Sequence, residues 1–135
     1  MTLPQETVGL LHEVRKATDL QTNTPSPHTL FDLYNRLVDV YARLGEEQVK
    51  RFSAKEAAYI RRKIEAGKAY QKGRIDKLTS KDAEIKSWIE VENELIKENE
   101  ASELYEELRV LRGSVDRAIS YIQSLRSYIS NSEKL

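Results

Sequence analysis

Apolar residues recur at helical intervals along most of this chain. Over residues 5–20, Val8, Leu11, Val14 and Ala17 share one face, which predicts a short amphipathic helix. Pro4 stands near its start, where a missing N–H costs little. The stretch QTNTPSPHT, residues 21–29, breaks the pattern. Pro25 and Pro27 each disfavour helix in the residue before them, and the polar residues favour turns. Residues 1–28 thus read as an N-terminal helical arm and linker, with residues 29–135 as a helical hairpin. Ser26 or Thr29 is placed to cap the next helix. Leu30, Leu33, Leu37, Val40 and Leu44 then follow a 3-4-3-4 spacing.

Beyond Gly45, which is either a kink or part of one helix reaching about residue 76, the stripe thins. At helical spacing Val49, Ala57, Ile60, Ile64, Gly67, Ile75 and Leu78 share one face. Arg51, Lys55, Arg61, Arg62, Lys68 and Lys72 fall on the opposite arc, with Phe52, Tyr59 and Tyr70 between. Gly73 and KLTSKD end this helix, and Thr79 or Ser80 caps the next, with Asp82 and Glu84 suited to the positive end of its dipole. A helix over about 81–130 opens with Ile85, Trp88, Ile89 and Leu95 and closes on the cleanest periodicity in the chain. Ala101, Leu104, Leu108, Leu111, Val115, Ala118, Ile122, Leu125 and Ile129 keep a 3-4 alternation over four heptads, as a coiled coil requires. The terminal NSEKL is expected to fray. Packed inside the chain, this seam would meet the 30–44 stripe in a three- or four-helix bundle. Its nine positions exceed what that stripe alone covers, which favours self-association.

Composition agrees with long helices: of 135 residues 33% are charged and 7% aromatic, with five Gly and three Pro. The expected fold class is all-α, an elongated hairpin or bundle with an N-terminal arm and a C-terminal heptad helix. There is no Cys, which excludes disulfides and thiolate metal sites and fits a reducing compartment. No apolar run approaches the roughly 20 residues that span a bilayer, and the start lacks the order of a signal peptide. The expectation is a soluble protein of the cytoplasm.

The zero net charge conceals a polarity. Residues 50–77 carry ten Lys/Arg against three acids, a local net of +7; residues 78–108 carry ten acids against three Lys, a local net of −7. A turn near residue 78 would bring Lys68 near Glu90, Lys55 near Glu103 and Arg51 near Glu107. Two readings stay open: the limbs neutralise each other, or the basic limb offers its face to a polyanion. In the second, cations release condensed counterions and neighbouring rings stack on unpaired bases.

Signs of catalysis are sparse. His12 begins HEVRK, without the second His of a zinc-binding HExxH, and His28 lies in the linker. There is no phosphate-cradling glycine loop and no nucleophile elbow. Glu90, Glu94 and Glu98 read as a solvated or ion-paired face. No cofactor and no metal is expected, and the chain is expected not to be an enzyme.

Three stretches carry a family resemblance: IEAGKAYQKGRID (Ile64 to Asp76), the acidic helix after it, and the terminal SVDRAISYIQSLRSYI. Over residues 50–130 the chain resembles phage recombination mediator proteins of the UvsY type. The resemblance implies a ring-like homo-oligomer that binds single-stranded DNA and helps a RecA-like recombinase replace the single-strand binding protein, in the host cytoplasm. It assigns DNA contact to Lys63, Lys68, Lys72 and Arg74, with Arg61 and Arg62 just before them. Assembly falls to Ile119, Ile122, Leu125 and Ile129. With the basic arc and the heptad seam, the candidate DNA-binding set is Arg51, Lys55, Tyr59, Arg61, Arg62, Lys63, Lys68, Tyr70, Lys72 and Arg74. The candidate oligomerisation set is Leu104, Leu108, Leu111, Val115, Ala118, Ile119, Ile122, Leu125 and Ile129. The alternative is a helical adaptor or assembly chaperone, whose limbs pair internally and whose seam binds a protein.

Overall fold

The computed structural model describes residues 1–21 and 24–133, and the regular elements among them are all helices. They are α1 (Leu3–Ala17), α2 (Pro27–Ile75), α3 (Ser80–Glu90) and α4 (Glu92–Glu133). The expectations for Thr22, Asn23 and the last two residues of NSEKL lie outside the described residues. The chain divides into two compact units: Met1–Glu47 with the residues from Glu107 onward, and Gln48–Glu106. Among the described residues no helix is long and apolar enough to cross a membrane.

The first unit is a three-helix bundle. Thr2 caps α1 in a reciprocal box: its hydroxyl accepts from the Gln5 N–H, and the Gln5 side chain accepts from the Thr2 N–H. The buried face of α1 is Thr7, Leu10 and Val14, whereas Val8 is 45% exposed. The face is therefore rotated from the expected one. Thr7 can stand inside because its hydroxyl donates to the Leu3 carbonyl at 2.7 Å. Ser26, not Thr29, caps α2: its hydroxyl accepts from the Thr29 N–H at 3.1 Å. Leu30, Leu33, Leu37, Val40 and Leu44 of α2 form one buried cluster with Leu10 and Val14 of α1 and Leu108, Val115, Ile122 and Leu125 of α4.

This corrects the intermolecular reading of the heptad seam. Leu111, Ala118, Ile119 and Ile129 pack against the same cluster, so the seam is covered by its own chain. The third wall of this cluster is α1, through Leu10 and Val14. Leu104, in the second unit, remains 43% exposed. Charged pairs set the register of α1 on α2 at heptad spacing. Arg36 meets Glu13 at 2.6 Å and Asp32 at 3.7 Å; Arg43 meets Glu6 at 2.7 Å and Asp39 at 3.6 Å. On α4, the Arg112 guanidinium lies 3.9 Å from the Tyr41 ring centre and donates to the Tyr41 carbonyl. A side chain at Gly45 would enter that space, since a Cβ there would stand 2.7 Å from Arg112 Nη2. Gly45 thus lies in an unbroken helix because Arg112 fills the room it leaves.

The second unit is an antiparallel hairpin of the rest of α2 against α3 and the start of α4. α2 ends in a Schellman motif: the Leu78 N–H donates to Gly73 O, the Lys77 N–H to Arg74 O, and Lys77 takes a φ of 67°. Thr79 then caps α3 by accepting from the Asp82 N–H. Gly73 is buried at the crossing, where a Cβ would come within 3.2 Å of the Ala83 backbone. The expected single helix over 81–130 is interrupted at Val91, which has φ −102° and ψ 17°. The Ser87 hydroxyl donates to the Glu84 carbonyl at 2.6 Å, a back-bond that bends helices, and Val91 is 2% exposed against the hairpin interior.

Candidate nucleic-acid interface

The basic limb does not face the way its hydrophobic pattern suggests. The residues of α2 that turn toward α3 and α4 are mostly small or polar: Ala58, Arg62, Glu65, Ala66, Ala69 and Gly73 are half-buried or buried. The aliphatic arc of Val49, Ile60, Ile64 and Ile75 is exposed instead. The cause lies on the opposing limb. α3 and α4 offer Ala83, Ser87, Glu94, Glu98, Ala101 and Ser102, a surface that takes close helix approach and charged partners. Arg62 satisfies that surface where an isoleucine would leave Glu98 without a counter-charge.

The candidate DNA-binding set splits accordingly. Arg62 pairs with Glu98, their side chains only 14% and 18% exposed, and its guanidinium lies between the rings of Tyr59 (5.3 Å) and Trp88 (5.7 Å). The Lys55 ammonium sits 5.0 Å from the Tyr105 ring centre, and Tyr105 also meets Phe52 at 5.7 Å. Arg51 is half-buried on the same side. The Tyr70 hydroxyl hydrogen-bonds Ser80 at 2.9 Å and ties α2 to the first residue of α3. These four belong to the hairpin's packing, so the expectation that they present a free binding surface is corrected. The Arg62–Glu98 and Lys55–Tyr105 contacts come within a few residues of the register expected from a turn at residue 78.

The other members face solvent. Arg61, Lys63, Lys68, Lys72 and Arg74 are exposed, and Tyr59 is 38% exposed beneath the Lys63 ammonium, 5.2 Å from its ring centre. Arg74 also donates to the Leu78 carbonyl at 3.2 Å, which closes the helix end while leaving the side chain at the surface. Lys68 has a weak same-helix partner in Glu65 at 3.6 Å. Lys68 and Lys72 border a groove that Glu90 and Glu94 line from the other limb, so carboxylates temper the potential there. Arg61, Lys68 and Lys72 share one arc of α2 and Lys63 and Arg74 another; from Arg61 to Lys72 the first arc rises about 16 Å, long enough for a few successive phosphates.

Trp88 is absent from the sequence-derived set. It is the only tryptophan in the chain, it is 50% exposed, and it flanks Arg62 opposite Tyr59. Its place among Ile85 and Ile89 made it read as a core contact. The hairpin register alone does not find it, since a turn that sets Lys68 opposite Glu90 places Trp88 opposite Tyr70, eight residues from Arg62. Among the described residues no three His, Asp or Glu side chains gather as a metal site needs. Comparison with protein-family models, characterised proteins and solved structures finds no match for this chain.

Proposed function

We propose that this chain is a non-enzymatic, single-stranded DNA-binding accessory protein that acts in the cytoplasm. The observation that carries the reading is the exposed cationic limb. Arg61, Lys63, Lys68, Lys72 and Arg74 reach solvent on one helix of a hairpin whose aromatic rings, Tyr59 and Trp88, are also open. Cations supply affinity for phosphates without regard to sequence, and open rings accept unpaired bases but not a stacked duplex. In this reading Arg62 holds the two rings in place, and Glu98 fixes Arg62. The resemblance to recombination mediators supports a narrower role: helping a RecA-like recombinase displace the single-strand binding protein, in a phage-infected host.

A second reading is favoured by the internal pairs. Arg62–Glu98 and Lys55–Tyr105 show cations held inside the hairpin, as in a helical adaptor whose limbs neutralise each other. Fluorescence anisotropy of labelled oligo-dT, with a duplex control, separates the two. At about 50 mM salt the DNA reading expects binding to the single strand, with affinity falling by orders of magnitude at about 200 mM. Absence of binding at micromolar protein and low salt would leave the adaptor reading.

A further inference from the structure

The first unit closes its α1–α2 side with ion pairs and leaves its α1–α4 side open. On the closed side Arg36 and Arg43 each meet a glutamate of α1. The open side holds a cavity of about 650 Å³, floored by Leu11, Val14 and Ala118 and rimmed by Arg15 of α1 and by Arg117 and Tyr121 of α4. Arg117 donates to the Ser114 hydroxyl at 3.1 Å, and among the described residues neither guanidinium meets a carboxylate. Arg15 is not spent on the end of its helix, because the Thr18 hydroxyl and N–H both take the Val14 carbonyl. The acid that lines the cavity is Asp19, which accepts from the Gln21 N–H at 3.1 Å. Glu107 stands ten residues before Arg117, about 15 Å along α4. The cavity thus carries two cations against one acid.

Both walls carry the spacing of a helix seam. On α4, Val110, Ser114, Arg117, Tyr121, Ser124 and Tyr128 repeat at 4-3-4-3-4, beside the buried seam. Of these, Val110, Tyr121 and Tyr128 are between 47% and 67% exposed. On α1, Val8, Leu11 and Arg15 repeat at 3-4, with Val8 exposed. Apolar and aromatic positions left open side by side mark an interaction surface. A groove between two helices takes a further helix through side chains at i, i+3, i+4 and i+7. We propose that the α1–α4 groove is the docking site of an acidic amphipathic helix from a different protein, which extends the three-helix bundle to four. Its aliphatic side chains fill the cavity over Leu11 and Ala118, and its carboxylates lie between Arg15 and Arg117. The two arginines set the sign of the partner, since a basic helix would meet like charge on both walls. The acidic helices of a second copy are already engaged, because Ala83, Ser87 and Val91 turn them into their own hairpin.

This inference stands apart from the DNA reading, since it uses none of that reading's residues and its test contains no nucleic acid. The probes are fluorescent peptides long enough to span the roughly 27 Å from Val110 to Tyr128. They carry leucine, isoleucine or phenylalanine at heptad spacing with glutamates beside them, and control peptides carry lysine for glutamate. Anisotropy measures binding to the full chain, and circular dichroism follows its helicity. A glutamate peptide is expected to bind, and Arg15→Glu with Arg117→Glu is expected to weaken it by about tenfold or more. Alanine versions of the arginine pair serve if the glutamate version loses helicity. A benzophenone at the peptide centre is expected to cross-link to residues 8–18 or 110–128, and lysine peptides are expected not to. The proposal is overturned if no glutamate peptide binds, if the arginine pair leaves affinity unchanged, if the cross-links fall elsewhere, or if lysine peptides cross-link there as readily. Sedimentation of the protein alone adds one more check: a mass above the monomer that the arginine pair lowers would give the groove to a second copy and overturn the proposal.

Discussion

Removing the Arg62 guanidinium should loosen the hairpin, while removing that of Arg61, its sequence neighbour, should not. The Arg62 and Glu98 side chains are 14% and 18% exposed, so their pair lies between two measured limits. Exposed pairs contribute about 0.2–1 kcal/mol, and loss of one partner of a fully buried pair costs about 3–5 kcal/mol. A value of about 2 kcal/mol follows for stranding either charge. Arg62 also faces Tyr59 and Trp88, each contact contributing roughly 0.5 kcal/mol at half-exposed rings. Arg62→Ala is therefore expected to cost about 3 kcal/mol, Glu98→Ala about 2 kcal/mol, and the double variant less than their sum by about 1.5 kcal/mol. Arg61→Ala should stay within about 0.5 kcal/mol of wild type. Urea unfolding followed by circular dichroism gives the four stabilities, and Trp88 emission reports locally on the hairpin. Additive single variants, or Arg62→Ala no worse than Arg61→Ala, would refute the assignment of Arg62 to the fold.

Val115→Asp, at a position with no exposure, should unfold the first unit with loss of helicity on circular dichroism. A seam used only between copies would lower the mass and keep the helices. Lys77→Gly should raise stability in urea by roughly 1 kcal/mol, because Lys77 holds a left-handed φ of 67° that glycine adopts without strain. Acidification should lower the melting temperature through the α1–α2 pairs. Hydrogen bonds from Arg43 and Arg36 hold Glu6 and Glu13 below the ordinary value of 4.5. Their contribution is thus present above the unfolded value and lost as pH falls through the lower folded one. In Glu6→Gln with Glu13→Gln, thermal melts from neutral to acid pH should show a smaller drop.

The helices were legible because period and punctuation agreed. The 30–44 leucines, Pro25 and Pro27, and the seam from Leu108 to Ile129 each placed an element near where it lies. The turn at Lys77 followed from Gly73 and the polar KLTSKD, and an antiparallel turn there gave the limb register to within a few residues. The face of α2 was not legible. Hydrophobic period says which residues share an arc, and nothing about whether the opposing surface can receive them. Here that surface is Ala83, Ser87, Glu98 and Ala101, and it takes Arg62 and Gly73 in place of Ile60 and Ile64. The role of the seam was missed for a similar reason. Thr7 looked polar, its hydroxyl is satisfied within its own helix, and the buried face of α1 is therefore wider than its apolar count suggested. In the candidate site, exposure separated Arg61, Lys63, Lys68, Lys72 and Arg74 from Arg51, Lys55, Arg62 and Tyr70, which a list of basic and aromatic residues cannot do.

The central claim is that the solvent-facing cations of α2 contact phosphates, and a salt series measures this directly. Affinity for oligo-dT would be followed by Trp88 quenching and by anisotropy, for the wild type and for Lys68→Ala with Lys72→Ala. Each lost phosphate contact should flatten the plot of log affinity against log salt by about 0.7. The account predicts a slope shallower by about 1.4 in the double variant, with helicity unchanged. A double variant with the wild-type slope would contradict it and place any DNA contact on another surface.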